Sequence, residues 1–296
     1  MKKALQAMGK HYFTATHCPI SVMRVSAGIG PQHEHDLTDL AHYHDFAELV
    51  VITDGRGLQI IDQVEYPVIA GDVFLLQGFT EHFFRERHAM SLMNIQYAPA
   101  LLPLPLALLR QMPGYNVMFQ LEPNLRTRRT FKHRLHLEAP EIAELIRTAE
   151  SLREELRHHE PGFETAALTR LLEIITFVSR RYTAIHADNR AALVRMGEVI
   201  SRLETDFAAP WTLPKIAKCA RTSPNNLLRL FKAATGDSPM DYLRKVRLQR
   251  AAEQLCATDR NITEIAFACG FNDPDYFTRR FTIFYGVSPR AYRRIR

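Results

Sequence analysis

The spacing of apolar positions divides the chain into three stretches. Between Ser21 and Pro99, short runs rich in Val, Ile, Leu and Phe are broken by Gly: "ELVVIT" stops at Asp54-Gly55, "GLQIID" before Gln63, "EYPVI" at Ala70-Gly71 and "DVFLLQ" at Gly78. No helical period connects them, so they predict closely spaced strands in a small antiparallel barrel or double sheet. "MPGYNVMFQLEP" reads as one more strand and turn, and the basic run at Arg126, Arg128 and Arg129 as an exposed face. From Glu141 the period becomes helical. Ile142, Leu145, Ala149, Leu152 and Leu156 form a narrow heptad seam. After a turn at Glu160-Pro161-Gly162, a helix from about Phe163 to Arg181 carries Leu168, Leu171, Leu172, Ile175 and Val178. The seam is read as a dimerisation face rather than as part of a hairpin closed within one subunit. The polar stretch from Thr183 to Arg190 predicts a linker.

Beyond it, one pattern is written twice. Ile216-Ala217, Cys219, Pro224, Arg229, Phe231, Gly236 and Ser238-Pro239 recur as Ile265-Ala266, Cys269, Pro274, Arg279, Phe281, Gly286 and Ser288-Pro289. The offset is forty-nine residues before the cysteine and fifty from it onward, which places the two cysteines at matching core positions. Each copy predicts helix, turn, helix. Thr212 caps the first helix, and Ser223-Pro224 and Asp273-Pro274 open the second helices. Leu227, Leu230 and Phe231 in one copy, and Phe277, Phe281 and Phe284 in the other, give each second helix a buried stripe. The opposite faces carry Ser223, Asn225, Asn226 and Arg229, and Asp275, Tyr276, Arg279 and Arg280. Helices of this kind fit a B-DNA major groove, where Arg hydrogen-bonds guanine and Asn adenine. An upstream helix carries Leu193, Met196, Val199, Ile200 and Leu203, and Ser238-Pro239 opens a long helix with Leu243, Val246, Ala251 and Leu255 inward, which would space the two units.

Charge sharpens this picture. From Trp211 to Arg296 there are 16 Lys and Arg against 7 Asp and Glu, a net of +9, which leaves 22 against 25, or −3, for the rest. The overall +6 is thus concentrated where phosphates would be met. With 46% hydrophobic and 24% charged residues, the composition is that of a soluble globular protein. Cys18, Cys219, Cys256 and Cys269 lack CxxC spacing. "LLPLPLALL" is too short and too broken by proline to span a bilayer, so the expected setting is a reducing cytoplasm, with no membrane partner.

The runs "IAKCARTSPNNLLRLFKAATGDSPMDYLRKVRLQRAAEQL" and "NITEIAFACGFNDPDYFTRRFTIFYGVSPRAYRR" resemble the paired helix-turn-helix domain of AraC-type transcription regulators. Ala220-Arg221 departs from that pattern, standing where the family often has Gly. Upstream, His42, His44 and Glu48 form H-x-H-x-x-x-E, and Gly71 stands eleven residues before His82, a frame similar to the two motifs of the cupin fold. In metal-binding cupins the ligands match His42, His44, Glu48 and His82, although Gln77 and Phe79 replace the second motif's usual Pro and Gly. Such a set suits Zn, Ni, Fe or Mn. It equally suits the polar lining of a sugar pocket, with Phe46, Phe83 or Tyr97 as an aromatic wall. His33 and His35 read as solvated loop residues. "HDFAELVVI", "GDVF" and "PGYNVMFQLEP" are similar to the sensor halves of the L-rhamnose-responsive members of the family.

Together these imply an α+β protein: a cupin-like effector-sensing barrel over 1–138, a helical hairpin and linker over 139–189, and an all-α double helix-turn-helix domain over 190–296. The resemblance implies a DNA-binding regulator, an activator, that answers to a carbohydrate-like effector, acts on RNA polymerase and works as a homodimer. A divalent transition metal in the barrel is the one cofactor implied. The competing expectations are a cupin metalloenzyme with a DNA-binding tail and a DNA binder that senses nothing.

Overall fold

A computed structural model describes residues 4–13, 17–28, 37–78, 80–125, 134–185 and 192–295. His33, His35, Phe79, Arg126, Arg128, Arg129 and residues 186–190 of the predicted linker lie outside them. The chain divides into two compact units, one of residues 1–109 and 118–189, the other of 110–117 and 190–296. The mixed sheet of the first and the helices of the second give the α+β class.

The first unit is organised by two long strands. β4 (Ala47–Ile61) and β7 (His82–Tyr97) pair antiparallel from Ala47 opposite Tyr97 to Ile61 opposite His82. "ELVVIT" and "GLQIID", expected as separate strands, are therefore one. The chain does not turn at Asp54-Gly55; it bulges, with register shifts between Ile52 and Leu58. Gly55 takes φ 70°, and a Cβ there would collide with the backbone of Ala89. Bulges bend a ribbon and increase its twist. Fully extended, Glu48 and Ile61 would stand roughly 43 Å apart. Yet His82, the residue opposite Ile61, brings its Nε2 within 3.5 Å of the Glu48 carboxylate. The ribbon is rolled on itself, and this gives the sheet an inside.

Among the described residues, shorter strands complete an eight-stranded sheet. β5 (Val64–Ile69) and β6 (Asp72–Gln77) pair with β4, while β2 (Ile20–Val25) and β3 (His42–His44) pair with β7. β1 (Leu5–Ala7) runs parallel to β3, and β8 (Leu135–His136) pairs with β6. Val50, Ile52, Phe74, Leu76 and Leu92 alternate along their strands into one apolar cluster. Each such side chain, fully buried, stabilises by about 1.5–3 kcal/mol.

The segment expected as strand and turn is helical. α1 (Leu106–Leu109) is followed by α2 (Pro113–Tyr115), a π-helical turn over Asn116–Leu121 and α3 (Glu122–Leu125). Pro113 at the first position fixes a helical φ and gives up an N–H that no helix start uses. Residues 114–119 are buried in succession, with none of the alternation a half-buried strand shows.

α4 (Ala139–His158) starts from a capping box between Glu138 and Glu141, and α5 (Phe163–Ile185) returns against it. Leu145, Ala149 and Leu152 are buried against α5 and β2 of the same chain. The heptad seam is therefore internal core and not a free dimerisation face. α5 also continues through Thr183 to Ile185, so the predicted linker begins as helix.

In the second unit, α6 (Ala192–Thr205) precedes the two copies. α7 (Leu213–Cys219) and α8 (Pro224–Thr235) form the first, α10 (Ile262–Ala268) and α11 (Pro274–Tyr285) the second. α9 (Pro239–Ala257) lies between them, and α12 (Pro289–Ile295) closes the chain. The hydroxyls of Thr212, Ser223 and Ser238 and the carboxylate of Asp273 accept hydrogen bonds from the first turns of the helices they cap. Phe277 and Phe281 are fully buried, but Phe284 is 40% exposed and leaves the expected stripe.

The cysteines are not equivalent. Ala220 N bonds Ile216 O as Cys269 N bonds Ile265 O, and Thr222 N bonds Ala217 O as Phe271 N bonds Ala266 O. The forty-nine-residue offset therefore runs through the turn to Thr222 and Phe271. Buried Cys269 matches buried Ala220, half-buried Cys219 matches Ala268, and Asn272 is the extra residue of the second turn. The left-handed residue that ends each first helix is Gly270 in one copy, at φ 80°, and Arg221 in the other, at φ 51°.

A side chain in that conformation costs roughly 1–2 kcal/mol, of which a glycine's greater unfolded-state freedom would offset part. Arg221→Gly should therefore raise the stability of the second unit by roughly 0.5–1 kcal/mol, read by denaturant unfolding of the full chain. Gly270→Ala should do the reverse, because its Cβ would sit 2.7 Å from the Ala208 carbonyl oxygen. Equal effects at the two positions would contradict the asymmetry.

Candidate effector pocket and nucleic-acid interface

β3 places His42 and His44 on one face by strand alternation, β4 supplies Glu48, and the start of β7 supplies His82. All four are buried. The Nδ1–H of His42 donates to Leu40 O at 2.6 Å, that of His44 to Phe46 O at 2.8 Å, and that of His82 to Thr80 O at 2.9 Å. With each Nδ1 donating to a carbonyl, Nε2 is the ring atom left for other partners. The Nε2 atoms of His44 and His82 lie 3.6 and 3.5 Å from Glu48 Oε2 and have no hydrogen-bond partner among the described residues. Glu48 Oε1 is held by Gln96 Nε2 at 2.8 Å.

One ligand atom from each of His44, Glu48 and His82 falls within 4.8 Å of the others. His42 stands beside this trio, its ring 4.3 Å from that of His82, so three of the four sequence-predicted ligands converge and the fourth flanks them. Burial raises the Glu48 carboxyl pKa, but the two imidazoles outweigh it and hold the group well below the usual range. Burial, then the neighbouring His82, lowers His42 to about 4.

The trio borders a cavity of about 20 Å³. Asn94 and Gln96 border it too, and each leaves a buried amide oxygen without a partner among the described residues. These two were not singled out from the sequence, although their alternation in "LMNIQY" was the available signal. Phe46 also lines the cavity, its ring stacked on His44 at 4.3 Å and 8°. Tyr97 does not; it is 97% buried, opposite Ala47 and Ile20. Phe84 lines it in place of Phe83, because alternation from His82 turns position 84 inward. The other side of Phe46 borders a cleft of about 640 Å³ with Phe13, Lys10, Asp45, Gln77 and Thr80. Sites for small ligands run about 300–1,000 Å³, so the inner cavity suits an ion or a water and the cleft a larger molecule.

On α8, Asn225 and Arg229 are exposed one turn apart, and Arg229 donates to Asn226 Oδ1 at 2.9 Å. Ser223 is occupied as the cap, its Oγ accepting from Asn226 N at 3.3 Å. On α11, Asp275 and Arg279 are exposed, and Ile283, missed in the sequence reading, extends their face at 74% exposure. Tyr276 leans on Phe271 and lies 5.3 Å from the Arg280 guanidinium.

Residues 27–172 match the AraC-like ligand binding domain, and residues 216–295 match a helix-turn-helix domain family. An AraC-type DNA-binding regulator of Chromobacterium violaceum is 31% identical over 33% of this chain and 88% of its own, with a TM-score of 0.32. The chain belongs to the AraC family of transcription regulators. The C-terminal domain of AraT, a response regulator from Geobacillus stearothermophilus, is 34% identical to this regulator over 34% of its chain and 85% of that one, with a TM-score of 0.34. HTH-type transcriptional activator RhaR of Escherichia coli K12 is 28% identical over 86% of each chain. The regulator is thus a DNA-binding protein with a ligand-binding domain, and the proteins it matches are regulators rather than enzymes. No helix among the described residues is long and apolar enough to cross a membrane.

An imidazole with its pKa lowered in the folded state binds fewer protons than in the unfolded chain. The contribution of His42 is therefore complete above its ordinary pKa of 6.5 and is lost as pH falls from there towards about 4. Melting of the first unit should drop across that window, and His42→Asn should flatten the drop. An unchanged pH profile in the variant would assign the loss to other groups.

Proposed function

We propose that the regulator is a transcription activator whose sensor takes a small polyhydroxyl, carbohydrate-like effector beside a divalent transition metal. The single observation that carries the sensor reading is the set of buried acceptors around one small cavity: His44 Nε2, His82 Nε2, and the amide oxygens of Asn94 and Gln96. Unmet acceptors in a low-dielectric interior are costly, and a cation or hydroxyl protons would satisfy them. The donor set fits a metal, since both imidazoles have the proton on Nδ1 fixed by a carbonyl and Glu48 is ionised. His44, Glu48 and His82 would hold it. Bound there, it would supply positive charge for adjacent hydroxyls of the effector. The bulk of a sugar fits the 640 Å³ cleft, where Phe13 and Phe46 offer an apolar wall and Asp45, Gln77 and Thr80 offer hydrogen bonds.

For DNA, the exposed faces of α8 and α11 support base reading by Asn225, Arg229, Asp275 and Arg279. Asn226 orients Arg229, Tyr276 supports Arg280, and Ser223 serves the helix start. The similarity to RhaR, a transcriptional activator, supports activation, and an activator acts on RNA polymerase. A homodimer would pair through a surface other than the α4 seam, which is buried within the chain.

Two measurements test this reading. Native protein loaded with Zn, Ni, Fe or Mn and dialysed should retain about one equivalent by elemental mass spectrometry, lost in His44→Ala and in His82→Ala but kept in the exposed-site control His158→Ala; equal retention in all four proteins would overturn the metal. On a duplex selected from a random pool, Arg229→Ala and Arg279→Ala should each cost about 1–3 kcal/mol in binding while leaving affinity for random DNA little changed. Equal losses on both duplexes would make them phosphate contacts.

A further inference from the structure

Two arginines and a histidine gather where the long ribbon bends, midway between the ends that meet at Glu48 and His82. The pairing of β4 with β7 sets Asp54 opposite Ser91, Arg56 opposite His88 and Leu58 opposite Arg85, so β7 takes one extra residue in each of two successive steps. Those two bulges hold Ala89 and Glu86 in the left-handed region, at φ 48° and 52°. A side chain there costs roughly 1–2 kcal/mol, a cost that glycine would avoid.

What the bulges do is re-aim side chains. In a regular strand the neighbours Arg87 and His88 would project from opposite faces. Here both line one open cleft of about 630 Å³, with Gly55, Arg56, Ile69 and Ala89 as the rest of its wall. Arg56 lies opposite His88 on β7 and opposite Ile69 on β5, so these three side chains share a face across three strands.

No carboxylate is on that wall. Asp54 is turned to Gly55 N, whose hydrogen bond its Oδ1 accepts at 2.8 Å, and Glu86 is exposed outside the lining. Arg56 and His88 are exposed and make no side-chain hydrogen bond or ion pair among the described residues. Arg87 is different. Its side chain is only 8% exposed, Nη2 donates to Asp39 Oδ2 at 2.6 Å, and Nη1 is buried without a partner among the described residues. The Asp39 pair fixes the guanidinium and satisfies one of its nitrogens. The other lacks an acceptor, which is costly away from water, and an acceptor is what an oxyanion brings.

We propose that this cleft binds a phosphoryl group, with Arg56, Arg87 and His88 as its donors and half-exposed Ile69 as an apolar neighbour for whatever the group is attached to. Guanidinium forks match phosphate oxygens two at a time, and an imidazole N–H adds a third direction. The site shares no residue with the His/Glu cavity or with the 640 Å³ cleft, so it stands whether or not a metal and a sugar occupy those.

The experiment is calorimetric titration of the full regulator with inorganic phosphate and with phenyl phosphate, at about 0.15 M ionic strength, where scattered surface charges are screened. Both should bind saturably. Arg56→Gln should weaken binding about tenfold or more, the loss of one charge-assisted hydrogen bond, and the paired Arg56→Gln, His88→Gln should abolish it. Both positions are exposed, so the fold should stand. Arg279→Gln, in the basic second unit, should bind as the wild type does. Tighter binding of phenyl phosphate, with the difference removed by Ile69→Ser, assigns the cleft to a phosphoester; equal affinities assign it to the free ion. No saturable binding by the wild type overturns the site. So does a loss in Arg56→Gln no larger than that in Arg279→Gln.

Discussion

The first unit depends on the rolling of one antiparallel ribbon. Had β4 and β7 paired as a flat hairpin, Glu48 and His82 would stand at opposite ends of it; instead their side chains meet. The bulge at Gly55 supplies the bend, and the apolar alternation of both strands selects which face turns inward. Everything in the inner cavity follows from that closure. β3 is paired to the start of β7, so two more histidines reach the carboxylate, and Gln96, directly across the ladder from Glu48, fixes its far oxygen.

Burial then determines the chemistry. Outside, three histidines and a glutamate would exchange protons with solvent and with one another. Inside, each imidazole Nδ1 is committed to a carbonyl of a residue two positions away, which leaves the Nε2 atoms of His44 and His82 facing an ionised Glu48. The backbone thus selects the tautomers before any ligand arrives, which is the preorganisation a binding site needs.

Much of this was legible in the sequence, and the failures have physical reasons. Helix starts were readable because Thr212, Ser223, Ser238 and Asp273 act through hydrogen bonds within their own first turns. The His/Glu set was readable because spacing and alternation are local. What failed was partnership. The α4 stripe announces that something covers it but not what, and the cover is α5 and β2 of the same chain. "PGYNVMFQLEP" lacks the period of either regular element because it is buried all round, and Gly197 reveals its purpose only once Pro113 and Val117 are seen against it. Gly55 read as a turn because a glycine serves a bulge and a turn through the same positive φ. The cysteine correspondence failed for a subtler reason. Matching letters put the change of offset at the cysteine, whereas the hydrogen bonds carry the earlier offset through Thr222 and Phe271 and make Asn272 the extra residue.

That extra residue has a consequence for the polarity of the molecule. Asn272 lengthens the second turn, so the two copies share a plan without being interchangeable parts: α8 follows a four-residue connection strained at Arg221, and α11 a five-residue connection relaxed at Gly270. Their exposed faces differ as well, amide and cation on α8, carboxylate, cation and an aliphatic side chain on α11. A reader assembled this way has a front and a back. It would distinguish a site from the same site inverted, so that a single chain, with no partner to break the symmetry, could point in one direction along the double helix.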